Sequence, residues 1–152
     1  MTDTASAVYV QPGQVYVATG NVSFMTILGS CVSVCLWSPR RGMGGINHFL
    51  LPHAVKHIEK AFKFGTIAIP ELARGLNEQG CSNRELVAKL FGGANVHNVC
   101  LEERHIGQRN VELARQELAA LGIAIAVEDV GGSRGRKITF RSMTGEVWVK
   151  LL

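Results

Sequence analysis

Cys31 and His48 are the residues whose types and spacing best fit covalent chemistry. A thiol becomes a useful nucleophile when a nearby imidazole takes its proton. Cys31 follows Leu28-Gly29-Ser30 and opens the apolar run Val32-Ser33-Val34-Cys35-Leu36. His48 lies seventeen positions on, in Gly44-Gly45-Ile46-Asn47-His48-Phe49-Leu50-Leu51-Pro52, a second apolar run introduced by glycines. Two adjacent strands would hold such a pair rigidly, as acyl transfer from an amide or ester requires. The plain alternatives are structural. A free cysteine is most often a small buried hydrophobe, and a histidine beside Phe49, Leu50 and Leu51 also fits a satisfied core residue. Residue type alone favours that reading for Cys31; the Gly-Ser turn and the histidine on the next strand bring the two readings level.

The elements that must position the pair follow from periodicity. Residues 31–37 alternate, with Val32, Val34 and Leu36 on one face and Cys31, Ser33, Cys35 and Trp37 on the other. Cys35 shares the face of Cys31 but sits deeper in the run and reads as core. Ser38-Pro39-Arg40-Arg41-Gly42 is a turn, and residues 45–50 form the next strand, a hairpin-like pairing that brings Cys31 near His48. Neighbours in a strand point to opposite faces, so Asn47 is not expected to orient His48. Residues 8–10 and 14–18 read as strands around a Pro12-Gly13 turn. Residues 53–64 are ambiguous, with Val55, Ile58 and Phe62 at helical spacing. Pro70 is expected to open a helix that carries Leu72 and Leu76 and ends at Gly80. Residues 108–121 form a second helix, with Val111, Ala114, Leu118 and Leu121 on one face and Gly122 as its stop. Residues 86–91, 123–127, 137–141 and 146–151 read as strands. Many short strands with two or three helices predict an α+β domain.

Composition sets the outer limits. At 152 residues, 47% hydrophobic and 18% charged, the chain suits one soluble domain over residues 8–152, with a loose, small and polar segment at 1–7. No apolar run approaches the roughly 20 residues that span a bilayer, and the N-terminus shows no secretory signal, so a cytoplasmic location is expected. Four cysteines without such a signal are expected to be reduced. On one strand, Cys31 and Cys35 would lie roughly 13 Å apart, too far to bridge or to share a zinc ion. His53 and His57 could share a helical face, but there is no C-x-x-C, so neither metal nor cofactor is expected. The net charge of +4 favours encounter with an acidic surface. The cluster Arg134, Arg136, Lys137 and Arg141 lacks interleaved aromatic residues. It reads as a solvated face rather than a nucleic-acid site, with docking of an acidic protein the lesser reading. Glycines at 42–45 and 131–135 lack phosphate-loop spacing and read as tight turns.

Five segments in order carry a resemblance. They are Leu28-Gly29-Ser30-Cys31-Val32, the run from Gly44 to Pro52, Lys89-Leu90-Phe91-Gly92-Gly93-Ala94, Ile106-Gly107-Gln108-Arg109-Asn110 and Gly131-Gly132-Ser133-Arg134-Gly135-Arg136-Lys137. From about Val15 to the C-terminus the chain resembles the bacterial chemoreceptor glutamine deamidases, the CheD family. The resemblance implies a layered α/β/β sandwich whose Cys–His site is similar to that of deamidating bacterial toxins. It places Cys31 on the family's nucleophile and His48 on its general base. The family orients the imidazole with a threonine a few residues before the cysteine, a role that falls on Thr26. Backbone N–H groups around Cys31 would be the oxyanion donors, as at nucleophile turns generally. The implied substrates are glutamines on the cytoplasmic helices of methyl-accepting chemotaxis receptors, with glutamyl methyl ester hydrolysis as a further activity. A further implied partner is the chemotaxis phosphatase CheC, and the rival reading is a non-catalytic binding module that regulates it. A thiol redox sensor at Cys31 is a weaker rival.

Overall fold

A computed structural model of the chain describes residues 5–53, 61–96 and 105–152. The alternation of one strand, β4 (Val32–Ser38), sets the layering. Val32, Val34 and Leu36 are buried among Ile69, Leu72, Leu76, Val111 and Leu118, which come from two helices, α1 (Gly65–Glu78) and α2 (Ile106–Ala120). Cys35 points the other way, into a second core with Phe24, Leu28, Ile46, Phe91, Ile138 and Phe140. The alternation read from the sequence is thus the boundary between a helix–sheet core and a sheet–sheet core.

β4 is central in a five-stranded sheet. Its order is β2 (Val15–Ala18), β5 (Met43–Asn47), β4, β6 (Val87–Gly92), β7 (Ala124–Val130). Beneath it lies a four-stranded sheet of order β1 (Ser6–Tyr9), β3 (Val22–Leu28), β8 (Arg136–Arg141), β9 (Val147–Leu151). Both sheets are mixed: β1–β3 and β6–β7 run parallel and the remaining pairs antiparallel. Two helices and nine strands among the described residues make a single-domain α+β sandwich with the expected α/β/β layering.

Several boundaries differ from expectation, each for a physical reason. β3 was not anticipated. Phe24, Thr26 and Leu28 point inward, yet Met25 and Ile27 on the outer face are also apolar, so no polar alternation marks the strand. β1 begins at Ser6, two residues before Val8, because it pairs with β3 from Ser6↔Val22 onward. β5 begins at Met43 rather than Gly45, so Gly44, expected in a turn, lies inside it. α1 begins at Gly65, so Pro70 lies inside it rather than at its start. Burial of Ala68, Ile69, Leu72 and Leu76 outweighs the one backbone bond that proline forfeits. α2 begins at Ile106, capped by the His105 ring, whose Nδ1 accepts the Gln108 N–H at 3.3 Å. Most of the ambiguous stretch 53–64 lies outside the described residues; its end forms a short 3-10 turn at Ala61–Lys63.

The end of β6 requires glycine. Gly92 has φ of +107°, and a Cβ there would sit 2.1 Å from the Cys31 carbonyl oxygen. Both facts exclude an L side chain without backbone movement. Gly92→Ala is therefore expected to lower unfolding stability by about 2–4 kcal/mol, measured by denaturant titration. A loss below about 0.5 kcal/mol would contradict this packing.

Candidate active site

β5 stops at Asn47, and its last residues turn in opposite directions. The Asn47 side chain is fully buried on the helix side, where Oδ1 accepts the Val34 N–H at 2.9 Å and Nδ2 donates to the Ala68 carbonyl at 3.2 Å. It replaces a backbone pair between β4 and β5 and does not touch His48, as strand alternation predicts. The His48 backbone is held instead on the β2 side. Its N–H donates to Gln14 O at 3.1 Å, and its carbonyl accepts the Gly13 N–H at 2.8 Å. One residue on, Phe49 and Val32 exchange both backbone bonds at 3.0 and 3.1 Å. His48 thus lies just past the strand rather than within it, with its ring between the two sheets.

Thr26 meets that ring from the opposite sheet. It lies on the inner face of β3, and its Oγ1 is 2.8 Å from the Val10 carbonyl oxygen and 2.8 Å from His48 Nδ1. Two oxygens at 2.8 Å need a hydrogen between them, and only the threonine hydroxyl can supply it. The same oxygen must then accept from Nδ1–H. This fixes the tautomer: Nδ1 carries the proton and Nε2 presents a lone pair. Nε2 is buried and has no hydrogen-bond partner among the described residues. His48 is only 3% exposed, and burial depresses its pKa from 6.5 to about 4, opposed by a hydrogen bond to the Val10 backbone. The ring is a neutral base at physiological pH.

Cys31 sits in the loop between β3 and β4, one residue before β4 begins. The Val32↔Phe49 bridge places Ser33 opposite His48, so Cys31 and Cys35 are the diagonal neighbours of His48. Only Cys31 is partly exposed. Cys35 is 1% exposed, and burial drives its thiol pKa far up, as expected of a core residue. Burial also raises the Cys31 pKa above 9.0, opposed by its own backbone N–H. The resting pair is therefore thiol and neutral imidazole, not thiolate and imidazolium. Cys31, Cys35 and Cys81 are free thiols; Cys100 and His57 lie outside the described residues. Among those described, no group of three or more His, Cys, Asp or Glu side chains could hold a metal ion.

The structure adds residues to which sequence reasoning gave no role. Three consecutive loop carbonyls are each taken by a different donor. Ala94 N–H donates to Gly29 O at 2.9 Å, Asn110 Nδ2 to Ser30 O at 3.1 Å, and Gly93 N–H to Cys31 O at 2.9 Å. Asn110 is fully buried on α2 and also donates to Leu50 O at 2.9 Å. Gly107 lets α2 reach the Gly93–Ala94 segment that holds this loop, since a Cβ there would sit 2.5 Å from Gly93 O. Arg136, expected on a solvated face, is 3% exposed. Its guanidinium donates to the carbonyls of Asp129, Gly131 and Gly92, pinning the ends of β6 and β7 beneath the cysteine loop. Its neighbours are less enclosed: Arg141 lies 5.8 Å over the Trp148 ring, and Arg134 donates to the Leu152 carbonyl.

Comparison with known proteins shows the family. The family model described as CheD chemotactic sensory transduction matches residues 50–151. The chain belongs to the CheD family. A protein of Anaeromyxobacter dehalogenans named "Probable chemoreceptor glutamine deamidase CheD 1" is 43% identical over 145 residues, covering 95% of this chain and 84% of that protein. A "Probable chemoreceptor glutamine deamidase CheD" of Sulfurimonas denitrificans is 38% identical over 143 residues, covering 93% and 92%. One of the same name from Trichlorobacter lovleyi is 42% identical over 139 residues, covering 91% and 86%. In this CheD chain, no helix among the described residues is long and apolar enough to cross a membrane.

The buried neutral His48 makes stability depend on pH. Between about 4 and 6.5 the unfolded chain binds a proton that the folded chain refuses. The contribution is complete above pH 6.5 and is lost as pH falls toward 4, by an amount of order 3 kcal/mol. In His48→Gln, the drop in unfolding free energy from pH 7 to pH 4.5 is expected to shrink relative to wild type. Equal drops in both proteins would contradict a depressed His48 pKa.

Proposed function

We propose that this chain is a chemoreceptor glutamine deamidase, with Cys31 as nucleophile, His48 as general base and acid, and Thr26 as the group that orients His48. The observation that carries the reading is the buried Thr26–His48 hydrogen bond, which leaves Nε2 free on the face shared by the partly exposed Cys31. The family membership and the names of the relatives supply the substrate class.

The chemistry follows from the protonation states. Nε2 takes the Cys31 proton as sulfur attacks the side-chain carboxamide carbon of a glutamine. The oxygen becomes an oxyanion, held by backbone N–H groups at the cysteine loop. Imidazolium Nε2–H protonates the amino group, the C–N bond breaks and ammonia leaves, giving a thioester to Cys31. Nε2 then takes a proton from water as the water oxygen attacks the thioester. Collapse breaks the C–S bond, the proton returns to sulfur, and glutamate is released. A glutamyl methyl ester enters the same sequence with methanol as the leaving group. Because sulfur and imidazole start neutral, the barrier includes the proton transfer, and the Thr26 contact matters most when Nδ1–H sits on an imidazolium.

Receptor glutamines lie on cytoplasmic helices, so the protein acts in the cytoplasm. The phosphatase CheC is carried as a second partner on the resemblance alone. The test is intact-mass analysis of a cognate receptor cytoplasmic fragment. Wild type is expected to add about one mass unit per glutamine converted, Cys31→Ala none, and Thr26→Val is expected to lower kcat about 10²-fold or more. Cys35→Ala is expected to stay active. Folded wild type and Cys31→Ala that both leave the receptor mass unchanged would overturn the enzyme reading. The binding module would then be the account to pursue.

A further inference from the structure

We infer that Asn110 is a positioning residue for the oxyanion hole: its carboxamide fixes the peptide plane whose N–H is the oxyanion donor at Cys31. The inference rests on the deamidase reading and adds to it a residue with a stated job.

Asn110 lies in the second turn of α2 and is fully buried. Its two Nδ2 hydrogens go to two carbonyls, Ser30 O at 3.1 Å and Leu50 O at 2.9 Å. The amide cannot be reversed, because Oδ1 would then face two carbonyl oxygens. The Ser30 carbonyl and the Cys31 N–H belong to one peptide unit. That unit is trans, and in a planar trans peptide the C=O and N–H bonds point in opposite directions. Drawing Ser30 O inward toward α2 therefore turns the Cys31 N–H outward, to the side of its own sulfur, with which it interacts. The flanking carbonyls, Gly29 O and Cys31 O, are held by the backbone N–H groups of Ala94 and Gly93. Apart from that sulfur, no backbone acceptor among the described residues takes the N–H of Ser30 or of Cys31.

The result is a donor aimed beside the sulfur and given to no other backbone group, which is what a developing oxyanion needs. Of the groups that hold these three carbonyls, only Asn110 uses a side chain. The second bond has its own consequence. Leu50 lies two residues after His48, so one amide ties the oxyanion donor and the base to the same point of α2.

The test separates oxyanion stabilisation from thiol reactivity. Alkylation of Cys31 by iodoacetamide displaces iodide at a saturated carbon and forms no oxyanion; deamidation does form one. Asn110→Ala removes both bonds, and Asn110→Asp keeps the volume but sets carboxylate oxygens against the two carbonyls. In each variant, receptor deamidation is measured per alkylatable Cys31, read at the Cys31 peptide, so unfolded protein does not count. The expected result is a fall in kcat of about 10²-fold, with KM and the alkylation rate within about twofold of wild type. An unchanged kcat would overturn the proposal. So would parallel losses of kcat and alkylation rate, which would mean that Asn110 merely holds the loop in shape. Wild type that alkylates at Cys31 but converts no glutamine would remove the deamidase reading itself, and the proposal with it.

Discussion

The hydrogen bond between Thr26 Oγ1 and His48 Nδ1 is the constraint on which the site depends. It is 2.8 Å long, buried, and crosses from one sheet to the other. Its donor–acceptor sense is set by a second bond, from the threonine hydroxyl to the Val10 carbonyl, which belongs to the segment just after β1. The segment after β1, the strand β3 and the hairpin that carries His48 therefore converge on one ring nitrogen. A hydroxyl that donates one way must accept the other way. The chain thus fixes the imidazole tautomer with two neutral groups and no carboxylate.

That choice shapes the electrostatics. A buried carboxylate beside His48 would raise its pKa and favour an imidazolium paired with a thiolate. Here burial is the largest influence on both groups. It lowers the pKa of the histidine and raises that of the cysteine, so each rests uncharged. The low-dielectric surroundings that make resting ions costly also strengthen fixed dipoles, and the loop around Cys31 is held by such dipoles. Ala94, Gly93 and Asn110 hold its carbonyls, and Gly92 and Gly107 permit the approach. Arg136 supports the same region from below, its charge spread over several carbonyls and the Asp129 carboxylate at 3.3 Å. The helix layer is therefore part of the site, although neither Cys31 nor His48 lies on a helix.

Much of this was legible in the sequence where local periodicity carries the signal. The alternation through residues 31–37 gave the faces of β4, and the turn after it gave the pairing with β5. That pairing sets Cys31 and His48 on one face. The same alternation separated Asn47 from His48. Three features were not legible, for three different reasons. β3 hides because its outward residues Met25 and Ile27 are as apolar as its inward ones, so Thr26 could be reached only through the family resemblance. Arg136 sits among charged neighbours in sequence, and only the tertiary fold separates this buried guanidinium from its less enclosed neighbours. Asn110 stands in a motif that could be matched but not interpreted, because its two partners are 80 and 60 residues away. Pro70 misplaced the helix start because local propensity lost to burial of one apolar face.

The central claim is that Thr26 holds His48 as a neutral Nδ1–H tautomer with Nε2 free to act on Cys31. The most direct measurement is the 15N NMR spectrum of the histidine side chains at neutral pH, with His48 assigned by mutation. The account predicts a protonated Nδ1 and an unprotonated Nε2 for His48, with the two tautomers exchanging in Thr26→Val. An imidazolium at pH 7, or a proton resident on Nε2, would contradict it.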